Sequence, residues 1–398
     1  MKVVDINVVP YGSTGMIAKS ICKLCNLTDE AYFCYSWTKK NGYKVNDKEI
    51  LIGSFLGKAA HIALSKITGF ELNFSLLDTI IFINKLKKIK PDIVHINILH
   101  SYYINVPILF KYLNNNNIKV VWTFHDCWAF TGHCPHFQIK ECDKWMTRCY
   151  NCPSYREYPQ SLFDNSSKMY DFKKKWFTYL KNLTIVCPSK WMADLCKKSF
   201  FKNRDIRVIN NGIDLEIFKY RNSEFRIRYK LENKIIILGV ALDWGYRKGI
   251  DIFKQLAVDL PDKYCIVLVG TNDSIDKELP SNIISIHRTF NQIELSEIYS
   301  ASDLFVNPTR EDTFPTVNIE SLACELPVIT FNTGGSPEIV NKDCGFIIKN
   351  NNYKCLLKCI LDNSDAKIRL RENCRKTALN YNQKEKYEEY INLFKNIL

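Results

Sequence analysis

The sequence predicts an α/β protein of two domains, each with a parallel sheet covered by helices. Short runs of apolar and β-branched residues alternate with longer segments of helical period, which is typical of such sheets. The alternation occurs twice along the 398 residues, and a chain of this length is expected to form about two domains. We therefore predict two domains that each repeat the same strand–helix pattern.

The two series of elements determine where we predict the domain boundaries. Strands are predicted at residues 2–8, 31–36, 93–97, 119–124 and 183–187, and then at 234–240, 264–269, 283–286, 304–307, 328–331 and 345–347. Segment 365–398 has no glycine or proline and is predicted to be helical throughout. We predict domains at 1–205 and 206–380, followed by a terminal helix at 381–398.

The composition indicates a globular protein with an anionic partner. With 46% hydrophobic and 24% charged residues, the chain has neither disordered nor membrane-spanning character, and it begins without a signal peptide. A cytoplasmic location is expected, in which the sixteen cysteines are reduced thiols. The formal net charge of +13, much of it in segment 168–207, suggests nucleic acid, an acidic membrane or a phosphate-bearing substrate as partner.

Two candidate sites follow predicted strands of the first domain, where open parallel sheets bind their ligands. The first is the loop Gly12, Ser13, Thr14 and Gly15, whose glycines and helix start suit an anion, although a plain strand-to-helix turn is the alternative. The second is His125 with Asp126, a pair that can move a proton or hold a sugar hydroxyl. A purely structural histidine is the alternative for this pair.

The segment 126–159 departs from the strand–helix alternation and is rich in Cys, Trp, Tyr, His and Pro. A long loop without regular structure in a compact domain is usually functional. Its four cysteines, Cys134, Cys142, Cys149 and Cys152, suit a tetrahedral structural zinc, with His133 or His136 as a substitute ligand and free buried thiols as the alternative.

The second domain carries a cluster of charged residues that suits a nucleotide. Arg247 and Lys248 follow a strand and can neutralise a diphosphate, which stabilises a departing nucleotide. Asp312 and Glu320 flank a turn and a helix start, so both are expected to face one binding site. A carboxylate on that helix can accept hydrogen bonds from ribose hydroxyls, while helix-start N–H groups can face phosphate.

These motifs together resemble glycosyltransferase family 4, a family of retaining enzymes. The resemblance spans nearly the whole chain, and its most specific part is the block from Pro308 through Asp312 and Glu320 to Glu338. The His125–Cys134 stretch is similar to a subgroup from bacterial capsule, O-antigen and exopolysaccharide gene clusters. The resemblance implies the GT-B architecture, in which two Rossmann-like domains face each other across a cleft and the last helix crosses back to the first domain.

The resemblance also implies roles for individual residues and an unusual chemistry. Arg247 and Lys248 would bind the donor diphosphate, Glu320 the ribose and Asp312, where the family usually has glutamate, the donor sugar. Further donor contacts would come from Gly12, Gly15, Thr313, Phe314, Pro315 and Thr316, and from the loop of His287 and Arg288, which would run beside the base. Acceptor contacts would come from Ser13, Thr14, Asn97, His125 and Asp126. Attack would occur on the front face of the sugar without a protein nucleophile, and basic side chains would replace a catalytic metal.

The implied donor is a UDP-sugar, with a GDP-sugar as alternative, and the implied acceptor is a glycan or a polyprenyl diphosphate at the inner face of the cell membrane. A nucleotide-sugar epimerase or phosphorylase of the same fold is a second hypothesis. A third is a zinc-containing nucleic-acid-binding protein. Because the basic residues are not interleaved with aromatic residues in a known reading motif, no nucleic-acid partner is expected.

Overall fold

The computed structural model describes residues 1–37 and 47–398. The chain forms two compact units, one made of Met1–Ile209 with Tyr387–Leu398 and the other of Asn210–Lys386. Each unit contains one parallel sheet with helices packed on it. The predicted α/β fold class is confirmed. In the part of the chain that is described, no helix has the length and apolar character needed to cross a bilayer.

The first unit has a seven-stranded sheet with the strand order β3-β2-β1-β4-β5-β6-β7. Its strands are β1 (Lys2–Ile6), β2 (Glu30–Tyr35), β3 (Glu49–Leu51), β4 (Ile93–Ile96), β5 (Lys119–Thr123), β6 (Leu183–Cys187) and β7 (Asp205–Val208). The order is that of a Rossmann fold, in which ligands bind where the chain reverses direction, here between β1 and β4. The edge strands β3 and β7 were missed from sequence because they are only three and four residues long and contain charged residues.

Among residues 1–37 and 47–209, six α-helices accompany this sheet. They are α1 (Gly12–Cys25), α2 (Phe55–Thr68), α3 (Leu76–Ile89), α4 (Val106–Asn115), α5 (Ser166–Tyr179) and α6 (Lys190–Lys198). Helix α1 begins at Gly12, so Gly12–Gly15 is its first turn. A Cβ on Gly15 would lie 2.5 Å from the Val9 carbonyl oxygen, so only glycine lets the helix start this close to β1.

The second unit repeats the topology with six strands in the order β10-β9-β8-β11-β12-β13. The strands are β8 (Ile235–Val240), β9 (Tyr264–Val269), β10 (Ile283–Ile286), β11 (Leu304–Asn307), β12 (Val328–Phe331) and β13 (Gly345–Ile348). The helices are α7 (Phe225–Arg228), α8 (Ile250–Asp259), α9 (Asp273–Asp276), α10 (Gln292–Ala301), α11 (Thr316–Ala323), α12 (Ser336–Ile339), α13 (Tyr353–Asp362) and α14 (Ala366–Ala378), followed by α15 (Gln383–Asn396). In this sheet the strand order reverses between β8 and β11.

The continuous terminal helix predicted at 365–398 is wrong, because α14 and α15 are separate. The Ile213 amide donates to the Tyr381 carbonyl (3.0 Å), and the Gln383 amide donates to the Ile213 carbonyl (2.9 Å). These hydrogen bonds to a distant part of the chain hold the segment between α14 and α15 in an extended bridge. The predicted helix therefore ends there, although no glycine or proline interrupts it.

The predicted domain boundaries differ from the observed ones by a few residues. A boundary between 205 and 206 is wrong because it would cut β7, which pairs with β6 in the first sheet. The chain re-enters the first unit at Tyr387 rather than at 381, since residues up to Lys386 belong to the second unit. The physical reason is the same in both cases: pairing with distant residues, not local composition, sets the boundary.

The C-terminal part of α15 is built into the core of the first unit. Tyr390 and Phe394 are fully buried, and their ring centroids lie 5.4 and 5.5 Å from that of His95 on β4. The Thr123 hydroxyl at the end of β5 donates to the Tyr390 hydroxyl over 3.3 Å. The last turns of the chain therefore complete the packing of the two central strands.

We expect Phe394→Ala to lower the free energy of unfolding of the first unit by about 3–5 kcal/mol, because it leaves a cavity beside His95. Chemical denaturation followed by tryptophan fluorescence measures this change. Leu398→Ala, at a side chain that is 58% exposed, is the control and should change little. An equal effect of the two substitutions would contradict the packing of α15.

Candidate functional site

The predicted acceptor residues of the first unit, together with the predicted donor contacts Gly12 and Gly15, lie at one edge of its sheet. Gly12–Gly15 follow β1, Asn97 follows β4, and His125 follows β5. These three strands are neighbours and run parallel, so their carboxyl ends meet at the same edge. The structure therefore brings these predicted residues together around the point where the strand order reverses.

Hydrogen bonds determine which nitrogen of His125 carries a proton. The Asn97 side-chain amide donates to Asp5 Oδ1 (2.9 Å), which turns its carbonyl oxygen towards His125 Nε2 (2.8 Å). Since that oxygen only accepts, Nε2 is the donor and Nδ1 carries the lone pair. Burial lowers the pKa of His125 to about 4, so the ring is neutral at physiological pH. A neutral imidazole in this state can accept a proton or a hydroxyl hydrogen bond.

Asp126 stays ionised beside a histidine that the sequence analysis missed. Burial opposes ionisation, but His100 Nε2, 3.0 Å from Asp126 Oδ2, and other contacts lower the pKa of Asp126 to about 2. The carboxylate also accepts a hydrogen bond from the Trp128 amide over 2.9 Å. The only sequence signal for His100 was its place just after a predicted strand, which is too common to single it out.

A second buried charge pair lies behind this site. Lys173 is fully buried, and its amine donates to the Trp128 carbonyl (2.9 Å) and lies 3.8 Å from Glu71 Oε1. Trp128 in turn donates its indole N–H to Glu71. Burial lowers the pKa of Lys173 to about 8 and raises that of Glu71. Lys173 is therefore not part of the basic surface to which the sequence analysis assigned it.

In the second unit, the predicted cations Arg247 and Lys248 and the predicted acid Asp312 lie where the strand order reverses, between β8 and β11. Arg247 and Lys248 follow β8, and Asp312 follows the neighbouring β11. The Lys248 amine lies 2.5 Å from Asp312 Oδ2, and both side chains remain partly exposed. The Arg247 guanidinium donates to the Glu311 carbonyl over 3.2 Å. Two cations and one carboxylate thus share one edge of the sheet, where a diphosphate and a sugar can bind side by side.

Arg310, which the sequence analysis did not single out, fixes the loop that carries Asp312. Its buried guanidinium binds both carboxylate oxygens of Asp251 at 2.8 and 2.7 Å and stacks 3.8 Å from the Tyr246 ring centroid. Its amide donates to the Arg247 carbonyl over 2.9 Å. Planar bidentate pairing of this kind is specific in geometry, so Arg310 holds the Arg247 and Asp312 loops together.

The loop after β12 completes this edge of the sheet. Gly334 adopts φ +55°, and a Cβ at this position would lie 1.6 Å from the Asp312 carbonyl oxygen. The adjacent Gly335 amide donates to that same carbonyl over 3.3 Å. Only glycine allows this close approach, so the glycine turn that the sequence showed at 334–335 supports the backbone of Asp312.

Glu320 lies on α11 and is kept partly desolvated. The Tyr299 hydroxyl donates to its Oε2 over 3.2 Å, and burial raises the pKa of Glu320 to about 7 from 4.5. Thr313–Thr316 form the turn before and the start of α11, with the Phe314 side chain buried against Tyr381. Phe314 thus anchors the turn that leads into α11.

The loop predicted to run beside the base has a different set of contacts. His287 follows the edge strand β10 and pairs with Asp276 (2.6 Å), which raises the pKa of His287. Arg288 is exposed next to it. Neither residue is drawn into the Lys248–Asp312 cluster by these contacts, so their role towards a base stays a prediction.

The four cysteines of segment 126–159 lie close together. Cys134, Cys142, Cys149 and Cys152 line one small cavity, and Cys134 forms a hydrogen bond with Cys152. Among residues 1–37 and 47–398, no three His, Cys, Asp or Glu side chains are arranged as a group that could hold a metal ion. Zinc binding by this loop therefore stays a prediction from the cysteine spacing.

Two Rossmann-like units, each with charged loops at its strand reversal, are typical of the GT-B fold. The chain matches the family described as Glycosyltransferase Family 4 over residues 61–217, and the one described as Glycosyl transferases group 1 over residues 222–381. The chain therefore contains a Glycosyltransferase Family 4 domain and a Glycosyl transferases group 1 domain, and it is a glycosyltransferase, as the sequence predicted. The comparisons favour transfer over the epimerase, phosphorylase and nucleic-acid-binding alternatives.

Similar proteins agree with this family. The putative colanic acid biosynthesis glycosyl transferase WcaC of Escherichia coli is 24% identical over 319 residues, 77% of each chain. The N,N'-diacetylbacillosaminyl-diphospho-undecaprenol alpha-1,3-N-acetylgalactosaminyltransferase of Campylobacter jejuni is 27% identical over 224 residues, 52% of this chain and 58% of that protein. The Anabaena HepE structure with UDP and glucose has a TM-score of 0.69 at 13% identity over all of both chains. The relatives indicate a role in surface polysaccharide synthesis.

We expect Glu320→Gln to stabilise the protein without ligands near pH 8 by up to about 3 kcal/mol, and to have little effect near pH 5. The raised pKa means that the folded protein binds this proton more tightly than the unfolded chain does. Stability is therefore lost as pH rises from 4.5 to about 7, and glutamine removes that loss. Thermal melting at both pH values measures the difference. Glu372→Gln, at an exposed site on α14, should show no such pH dependence.

Proposed function

We propose that this protein is a retaining, metal-independent glycosyltransferase that moves a sugar from a nucleotide donor to a growing surface glycan. The observation that carries the proposal is the cluster of Arg247, Lys248 and Asp312 at the strand reversal of the second unit, with Glu320 on α11. The donor is a UDP-sugar, with a GDP-sugar as the alternative. The acceptor is a glycan or a polyprenyl-diphosphate-linked saccharide.

The second unit would hold the donor through opposite charges. The Arg247 and Lys248 side chains and the N–H groups at the start of α11 neutralise the diphosphate as the bond to the sugar breaks. Asp312 keeps the Lys248 amine at this position before the donor arrives, and it accepts hydrogen bonds from the sugar hydroxyls. The Glu320 carboxylate accepts hydrogen bonds from both ribose hydroxyls. The binding of UDP and glucose by HepE, a protein of similar fold, supports the preference for a UDP-sugar.

The first unit would hold the acceptor. Neutral His125 and ionised Asp126 accept hydrogen bonds from acceptor hydroxyls, and the first turn of α1 offers helix-start amides to a phosphate. The attacking hydroxyl loses its proton to the departing donor phosphate, so no protein nucleophile forms a bond to the sugar. The name of the Campylobacter relative, a transferase acting on a diphospho-undecaprenol, supports a lipid-linked acceptor.

A lipid-linked acceptor would place the enzyme at the cytoplasmic face of the cell membrane as a peripheral protein. The net charge of +13 supports such a location, because anionic lipids attract lysine and arginine side chains. Exposed lysines between residues 168 and 202 contribute to this charge.

Donor identity is tested with a panel of UDP- and GDP-sugars, scanned by thermal shift on the wild type and on Glu320→Ala. We expect one donor to stabilise the wild type. In Glu320→Ala its Kd should rise by about 10–100-fold, the loss expected for charged hydrogen bonds. Exposed Glu372→Ala is the control. If no nucleotide sugar stabilises the folded wild type, the proposal is refuted.

The stereochemical outcome is read by NMR of the product formed with the stabilising donor and a polyprenyl-diphosphate saccharide. A product with the anomeric configuration of the donor supports retention, and the inverted anomer contradicts it. The same reaction with excess chelator should proceed unchanged if basic side chains take the place of a catalytic metal.

The cysteine cluster is proposed to hold a structural zinc that orders segment 126–159. The expectation is about one zinc per chain by elemental analysis, lowered in Cys149→Ser and Cys152→Ser because each removes one of four thiolate ligands. Cys355→Ser, at an exposed cysteine on α13, is the control and should keep the metal. A metal-free wild-type protein with four titratable thiols in this loop would contradict the prediction.

A further inference from the structure

Helix α2 turns its polar face towards the core and its apolar face towards solvent. Its inward side chains are the polar Lys58, His61 and Ser65, whereas its outward face carries Phe55, Leu56, Leu64 and Ile67 together with three alanines. His61 is only 1% exposed and Leu56 is 78% exposed. A surface helix of a globular protein shows the opposite arrangement.

The inward polar face is satisfied, so this orientation is well determined. The Lys58 amine donates to the Ser36 carbonyl (2.6 Å) and lies 4.4 Å from the Trp37 ring centroid. His61 Nε2 donates to the Glu71 carbonyl (2.8 Å), and its Nδ1 lies 2.7 Å from the Ser75 hydroxyl. Turning the helix over would break these hydrogen bonds, so the apolar face is held outwards by specific contacts.

Two neighbouring segments extend the apolar surface. Helix α3 exposes Leu76, Leu77, Ile80 and Ile81 in its first half, and it is joined to the start of α2 by a hydrogen bond from the Ser54 amide to Asp78. Leu162 and Phe163 are also exposed, and the Leu162 amide donates to the Lys66 carbonyl at the end of α2. We call the outward faces of α2 and α3 with Leu162 and Phe163 the apolar platform.

The exposed charged side chains of the two platform helices, α2 and α3, have one sign. The second half of α3 exposes Lys85, Lys87 and Lys88, and α2 exposes Lys66. Helix α2 has no acidic residue, and the one acid of α3, Asp78, is buried against Ser54. Apolar side chains bordered by lysines are typical of segments that lie in the interface of an anionic bilayer. A second copy of the chain would bring the same positive charge and no acid on these helices to pair with it.

The platform is also linked to the candidate acceptor site. Glu71, in the connection between α2 and α3, accepts from the Trp128 indole, and Trp128 lies two residues after Asp126 in the chain. Glu71 thus connects the segment between the two platform helices to the segment that carries His125 and Asp126.

We propose that the apolar platform inserts into the interface of an anionic lipid bilayer, so that the first unit binds the membrane by its apolar helices α2 and α3 and not by the basic segment 168–207 alone. This inference rests on the proposed function for its purpose, because a lipid-linked acceptor lies in that bilayer. The binding itself needs no donor and no turnover.

The test is cosedimentation of the full chain with vesicles of phosphatidylethanolamine and phosphatidylglycerol. The double variant Leu56→Ser with Leu77→Ser should bind at least about tenfold more weakly, because it removes two of the most exposed side chains of the platform. The matched control is Val258→Ser with Ile368→Ser, which changes side chains that are 73% and 82% exposed on the second unit, and it should bind like the wild type. Lys87→Gln with Lys88→Gln should weaken binding and reduce its dependence on salt.

Three outcomes would overturn the inference. They are a wild type that does not bind these vesicles, a Leu56 and Leu77 variant that binds like the wild type, and a wild-type dimer that this variant makes monomeric without any vesicle binding. Thermal shift with the donor is measured on the same samples. If the donor stabilises every variant equally while vesicle binding is absent, the membrane inference fails and the transferase proposal stands. If the vesicles bind the wild type but no donor stabilises it, the transferase proposal fails and the membrane inference stands.

Discussion

Parallel pairing of the central strands is the constraint on which the rest of the structure depends. Because β1, β4 and β5 run in the same direction, the residues that follow them come together at one edge of the sheet, and β8, β11 and β12 do the same in the second unit. Side chains far apart in sequence, such as Lys248 and Asp312, thereby become partners 2.5 Å apart. In both units the charged loops occupy the point where strand order reverses.

The candidate site is held in a state that costs stability. Glu320 is partly desolvated, so its ionised form is disfavoured before a ligand arrives. Arg310 with Asp251, and Asn97 with Asp5, fix the loops and side chains around these positions. Such supporting contacts keep charged groups in place, which favours a transition state that needs charge stabilisation without rearrangement.

The first unit also uses buried polar groups to position apolar ones. The contacts of His61 and Lys58 keep the apolar face of α2 turned outwards, while Glu71 and Lys173 form a buried pair beneath Trp128. Buried charges are tolerated only when paired and hydrogen-bonded, and here each pair determines the orientation of a neighbouring segment. The surface of this unit and its candidate acceptor site are therefore supported by the same network.

The sequence by itself determined the α/β class, most strands and the residues around Asp312 and His125, because periodicity, glycine turns and motif order are local properties. Tertiary structure alone decided the break between α14 and α15, the burial of Lys173, the tautomer of His125 and the inverted polarity of α2. Each of these depends on a partner distant in sequence: Ile213, Glu71, Asn97 and the segment from 71 to 75. Local patterns carry no information about such partners, because burial and hydrogen bonding are set only when the strands and helices have packed.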